Sequence, residues 1–227
     1  MMIMMTVLFF GTEAWSDTTK LYVFYPSAMS SASLQKELNE ACAEIEVMVF
    51  GRFKDFEERV SSDKPDAVLT KPPVIGQIGD YTVSLVGTRG GDISEPYILL
   101  SVDKKMDISH LSDKQIGVFD FLGRKGMDAF VGKYINPLPN LKRVSKMEDL
   151  LQLLTFNMVE AILIPEVYAD YYKKISKLNF VITPLPNMKA EIVAVGVKQG
   201  KDLSSTVKSL KSLNKQYMAL LEIEQWK

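Results

Sequence analysis

"VFDFLGRKGMDAFVGKY" (Val118–Tyr134) changes character half-way along. It starts as a short apolar run of the kind that fills a buried strand. Met127, Phe130, Val131 and Tyr134 then recur at the spacing of one helix face. The junction is Gly123-Arg124-Lys125-Gly126, two glycines around two cations. A strand turning through glycine into a helix is half of a βαβ unit, the building block of α/β folds.

The same alternation continues in both directions. "KLYVFYPS" (Lys20–Ser27) reads as a strand and turn, followed by a helix over about 31–45 and a strand in "EVMVFG" (Glu46–Gly51). "RFKDFEERV" places Phe53, Phe56 and Val60 at i, i+3, i+7, and "DAVLT" (Asp66–Thr70) is a further strand, stopped by Lys71-Pro72-Pro73. After "YTVSLVG", the polar, glycine-rich "TRGGDISEP" marks a boundary. A second alternation follows: "YILLSV", "QIGVFD", the helix above, a capping box at Ser145-Lys146-Met147-Glu148, the strand "EAILI" and a helix opened by Pro165. "NFVITPLP" and "EIVAVGV" are two strands separated by "NMKA", and helices are expected from Asp202 to Trp226. The pattern predicts two α/β blocks, each a mostly parallel sheet flanked by helices, interrupted near 90–95 and 186–190.

The 227 residues are enough for two small lobes, and 47% hydrophobic with 24% charged residues describes an ordinary globular chain. Lys plus Arg (27) nearly balance Asp plus Glu (28), which argues against nucleic acid as the main partner. The apolar "MMIMMTVLFF", with Ala14 and Ser16 before Asp17, fits a secretory signal peptide over residues 1–16, although no Lys or Arg precedes Lys20. That placement predicts a periplasmic protein. Cys42, the only cysteine, falls on the helix stripe of Leu34, Leu38 and Ile45 and reads as a packed thiol.

The order of elements resembles the type II periplasmic solute-binding proteins of ABC transporters, and within them the phosphate/phosphonate-type branch. "PDAVLTKPP" resembles that family's strand and ligand-facing loop. "EPYILLSVDKKMDISHLSDKQIGVFDFLGRKGM" resembles the opening of its second lobe, "NMVEAILIPEVYADYY" its next strand and helix, and "LNKQYMALLEIEQWK" its C-terminal helix. The resemblance implies two lobes joined by two crossovers: lobe 1 from residues 17–93 and 188–227, lobe 2 from 94–187. It further implies a monomer that closes around a small anionic or zwitterionic ligand and presents it to an ABC permease or a membrane sensor protein. No cofactor, metal or catalytic residue is implied. Two departures stand out: "FLGRKGM" lacks the branch's Ser/Thr run, and "TKPPVIG" replaces its usual first-lobe loop. A binding-protein-like sensory or interaction module with a degenerate cleft is the alternative.

The candidate ligand-binding residues are those at strand ends facing such a cleft. Gly123, Arg124, Lys125 and Gly126 open a helix, where free amides and two cations would suit an anion; the same residues also read as a tight turn with solvated charges. Tyr25 and Ser27 end the first strand, Arg52 follows the second, and Thr70 and Lys71 end the third. Glu166 could take an amine from lobe 2, or simply favour the start of its helix. His110, the sole histidine, has no partner for a metal site, and neither a nucleotide P-loop nor a hydrolase motif is present.

Overall fold

The structure is a computed structural model that describes residues 18–27 and 29–227. The expected signal peptide lies outside the described residues. Two sheets organise the chain. The first has the order β11-β4-β10-β3-β1-β2, built from β1 (Thr19–Val23), β2 (Ile45–Val49), β3 (Ala67–Thr70), β4 (Tyr81–Thr88), β10 (Ala194–Lys198) and β11 (Gln225–Trp226). The second has the order β7-β6-β8-β5-β9, from β5 (Ser94–Val102), β6 (Gln115–Phe119), β7 (Asn140–Val144), β8 (Ala161–Pro165) and β9 (Phe180–Glu191). Each sheet with its helices is one lobe.

Both sheets are mixed rather than mostly parallel. β2-β1-β3 and β7-β6-β8 run parallel, whereas β10, β4 and β11, and β5 and β9, pair antiparallel. The reason is the two crossovers, since the chain leaves lobe 1 along β4 and returns along β9 and β10. The first crossover is a hairpin closed by an Arg89–Asp92 bridge, with Gly90 and Gly91 at positive φ. The second is only Ile192-Val193, both fully buried.

The helices follow the apolar periodicity. α1 (Ser31–Ala41) is capped by Ser30, whose hydroxyl accepts from the Ser33 amide at 3.2 Å, and it buries Leu34 and Leu38. α2 (Phe53–Asp63) buries Phe53, Phe56 and Val60. Lys71-Pro72-Pro73 does not open a loop but starts α3 (Pro72–Ile78), because the first helical turn has no use for the missing proline N–H. α4 (Gly123–Gly132) and α5 (Met147–Thr155) lie where expected, but Ser145 caps nothing, since Lys146 holds the N-cap position. Pro165 ends β8, and a 3-10 turn over Glu166–Tyr168 precedes α6 (Ala169–Ile175).

Two expectations fail at the C-terminal side. "NMKA" is not a break: β9 runs through it, with Met188 and Ala190 buried and Lys189 exposed in strand alternation beside β5. Nor do helices reach Trp226. α7 (Ser204–Lys211) and α8 (Lys215–Leu220) end before Glu222, whose φ of 55° is left-handed, and the chain then pairs with β4 as β11.

One hydrophobic cluster fills the face of the first sheet under α1, α7 and α8, including Leu34, Leu38, Cys42, Leu210 and Leu221. The other runs without interruption from lobe 1 (Phe24, Phe53, Phe56) into lobe 2 (Phe119, Leu122, Met127). The lobes therefore share apolar contact across their junction. Among the described residues no helix is long and apolar enough to cross a membrane.

Candidate functional site

The carboxyl ends of β1, β2 and β3 face those of β6, β7 and β8, which is where ligands collect in α/β sheets. The centre of this junction is closed. Phe24 stacks on Phe119 of the opposite lobe, with centroids 6.0 Å apart and planes 22° apart, and also packs on Phe53 and Phe56. What space remains, about 20 Å³ among Pro26, Tyr97, Phe119, Phe121, Met127 and Leu163, is nearly all apolar. It has room for about one water molecule.

A larger cavity, about 110 Å³, opens at the edge of the junction. Lobe 1 contributes Tyr25, Ser27, Ser30, Ser31 and Gly51, and lobe 2 contributes Ser145, Lys146, Met147 and Glu148. The starts of α1 and α5 reach it from opposite lobes, each offering amide donors and the positive end of a helix dipole. Ser27 and Ser30 already accept from the Met29 and Ser33 amides. The hydroxyls of Ser31 and Ser145 have no hydrogen-bond partner among the described residues. Lys146 supplies an exposed cation and Glu148 an exposed anion. Such a set can hold an oxyanion, and Glu148 can receive an ammonium group on the same ligand.

An open groove of about 460 Å³ lies beyond it, lined by Arg52, Phe53, Asp55, Asp120, Gly123 and Ser145. Arg52 is committed there to Asp55 at 2.7 Å, while Oδ1 of Asp120 is buried with no hydrogen-bond partner among the described residues.

The sequence-derived residues fall in different places. Tyr25 and Ser27 meet at the edge cavity, and burial, then the Glu222 and Glu95 carboxylates, hold the Tyr25 phenol neutral, well above its ordinary range. Arg52 and Gly123 line the groove. Thr70 is buried in the first sheet, its hydroxyl without a hydrogen-bond partner among the described residues. Lys71 is 2% exposed, and its ammonium donates to Glu95 at 2.8 Å and to the Glu191 and Ile192 carbonyls at 3.1 Å each. It pins both crossovers together and has no donor left for a ligand. Burial works against its charge, but Tyr97 and Glu95 more than offset this and hold its pKa above the ordinary lysine value.

Arg124, Lys125 and Glu166 are exposed and line none of these three spaces. The flanking glycines answer to a left-handed backbone at Gly123 and to close packing at Gly126. Gly123 has φ +69° and faces Phe53, and a Cβ on Gly126 would lie 2.8 Å from Oε1 of Gln77 in lobe 1 and 2.7 Å from Leu122. Ser30, Ser31, Ser145, Lys146 and Glu148 were not singled out as ligand residues from sequence. Their signal was present in "SSAS" and "SKME", but the first reads as the start of a helix and the second as a capping box.

Comparison with solved structures agrees with this geometry. The amino-acid ABC transporter substrate-binding protein AbpA of Streptococcus pneumoniae, bound to L-arginine, superposes with a TM-score of 0.61 at 14% identity, over 89% of this chain and 93% of that one. The GluR0 ligand-binding core in complex with L-glutamate gives 0.59 at 14%, over 92% and 98%. The second Venus-flytrap domain (VFT2) of Bordetella pertussis BvgS gives 0.58 at 12%, over 89% and 91%. The fold is that of the two-lobed periplasmic binding proteins. At these identities the likeness shows the fold alone. No family model and no curated protein sequence matches the chain.

Proposed function

We propose that this protein is an exported solute-binding protein that takes a small anionic or zwitterionic ligand in the edge cavity and reports its occupancy by lobe closure. The observation that carries this reading is the cavity itself, where hydroxyls and helix starts of both lobes converge beside Lys146 and Glu148. A ligand bridging them would favour the closed arrangement over any open one, which is how a hinge protein signals. The reader of that signal would be an ABC permease or a membrane sensor protein. Binding rather than catalysis is favoured, because solved structures that share the fold include a substrate-binding protein bound to L-arginine and a ligand-binding core in complex with L-glutamate. The exposed Asp107-Ser109-His110 group crowds both partners onto Nδ1 of His110, leaving no relay from Ser to His to Asp.

The test is a thermal-shift panel of inorganic phosphate, methylphosphonate, acetate, glutamate and arginine. A ligand at 100 times its Kd adds about 2.7 kcal/mol of stability. At least one member is expected to raise Tm, and Lys146→Gln to reduce that shift. A flat panel sinks the reading.

A second reading has its own observation. The aromatic rings of Phe24, Phe53 and Phe119 fill the centre of the junction where a cleft would hold its ligand. This favours a sensory or protein-interaction module with a degenerate cleft that regulates a membrane signalling protein. A flat panel together with compact scattering in the absence of additives supports it.

A further inference from the structure

The end of lobe 2 that faces away from the cleft carries a group of exposed apolar side chains. Pairing of Gln115 with Asn140, of Ile116 and Ser101 with Ala161, and of Val102 with Phe180 aligns the strand ends there, opposite the carboxyl ends of β6, β7 and β8. Four connections emerge at this end: 103–114 before β6, 133–139 before β7, 156–160 before β8 and 176–179 before β9. Eight large hydrophobic residues are exposed among the described ones, and five of them lie in or directly beside these connections: Ile108, Leu138, Phe156, Met158 and Ile175. Single exposed apolar residues are ordinary, whereas a cluster at one end of a molecule marks a contact surface.

Phe156 is the most exposed of the five, at 70%, and its backbone is fixed. It caps α5 in a Schellman turn: the left-handed Asn157 donates to the Leu154 carbonyl at 3.0 Å and Met158 donates to that of Leu153 at 2.8 Å. Both apolar side chains are therefore presented from a closed turn. The charges at this end are unequal. Lys104, Lys105, Lys174 and Lys177 are exposed and have no ion-pair partner among the described residues. Most acidic groups of the four connections are engaged: Asp107 with Ser109 and His110, Asp113 with Lys114 at 3.1 Å, and Glu160 as acceptor of the Gln115 amide at 2.7 Å. That leaves Asp103 against four free lysines.

We propose that this end of lobe 2 docks on an anionic phospholipid surface, with Phe156 and Met158 entering the headgroup boundary and the free lysines meeting lipid phosphate. Apolar side chains interspersed with lysines suit that boundary, because lysine stems follow the apolar atoms inward while their ammonium groups stay with the headgroups. The charge is complementary too, since each lysine near an anionic leaflet adds to the attraction. None of the cavities described above is lined by these connections, which favours a broad surface over a peptide held in a groove. Docking there directs the carboxyl strand ends, and with them the edge cavity, away from the bilayer, and leaves lobe 1 as the lobe that moves. It does not depend on any ligand, so it can fail while the cavity reading stands.

The experiment is sedimentation of the full chain with vesicles of phosphatidylglycerol and phosphatidylethanolamine, against vesicles of phosphatidylcholine alone, followed by hydrogen exchange of the bound protein. Binding is expected to be at least tenfold tighter on the anionic vesicles, to weaken with added salt, and to slow exchange in peptides covering 103–114 and 154–160. The double variant Phe156→Ser with Met158→Ser, and separately Lys104→Glu with Lys105→Glu, should each lower vesicle affinity roughly tenfold. All four side chains are exposed, so urea unfolding should be unaltered. Should either variant fold poorly, the exchange pattern of the unaltered chain decides alone. No vesicle binding, equal binding to the two vesicle types, binding retained in both double variants, or unchanged exchange in both peptides overturns the proposal. The first of these outcomes would assign this end to an acidic protein partner, and the last would place the membrane contact elsewhere in the chain.

Discussion

Replacing Lys71 by methionine separates a ligand residue from a hinge pin. The ammonium is 2% exposed and Glu95 is 3% exposed, so removing one leaves the other's charge in the interior. Breaking a buried pair from one side typically costs about 3–5 kcal/mol. Arg89 still holds the second Glu95 oxygen at 3.1 Å, which keeps the charge term at the lower end. The Glu191 and Ile192 carbonyls also lose a donor, which works in the opposite direction. A destabilisation of about 3 kcal/mol follows, or a fall in Tm of roughly 6–12 °C for a chain of this size. Thermal and urea unfolding followed by circular dichroism measure it. Adding Glu95→Gln to Lys71→Met should recover part of the loss, because the buried charge is then gone. A Lys71→Met protein as stable as the original, with no coupling to Glu95→Gln, would refute the pin and return Lys71 to the ligand candidates.

Four further outcomes are expected. Gly126→Ala drives a methyl group against Leu122 and the end of Gln77 and should cost about 1–3 kcal/mol in urea unfolding. Phe119→Ala removes the ring stacked on Phe24 and should cost about 3–5 kcal/mol in urea unfolding. Arg124→Ala should leave both stability and the affinity for any panel ligand unchanged, since the side chain is exposed and lines none of the three spaces between the lobes described above. Stability should also decline with pH: Glu222 titrates near 7 when folded and near the ordinary 4.5 when unfolded, so its contribution is full below 4.5 and lost as pH rises through 7. Allowing for partial exposure, the total is on the order of 2–3 kcal/mol, and Glu222→Gln should flatten the profile.

The fold was legible where burial alone sets the pattern. The apolar runs of β1, β3, β6 and β8 and the stripes of α1, α2 and α4 state their period plainly. Reading failed where pairing or a single dihedral decided. "NMKA" is strand because β5 lies beside it, and the last residues leave the helical path at the left-handed Glu222. The site was less legible for a related reason. "GRKG" has the composition of an anion loop, but Gly123 also answers to a left-handed backbone and Gly126 to close packing on Leu122 and Gln77, which sequence cannot display. Lys71 has the look of a ligand cation until Glu95, 24 residues away, and the carbonyls about 120 residues away come into reach. Ser27 was legible at its strand end, Ser145 was hidden by its place in a capping box, and only the meeting of the two lobes joins them with Ser30 and Ser31 into one surface.

The most direct test of the central claim is isothermal titration of the panel's strongest stabiliser into the unaltered chain and into Lys146→Gln. The edge cavity predicts one site per chain, with affinity reduced at least fivefold in the variant. Equal affinity in the two proteins, or no heat from any of the five compounds, would contradict it.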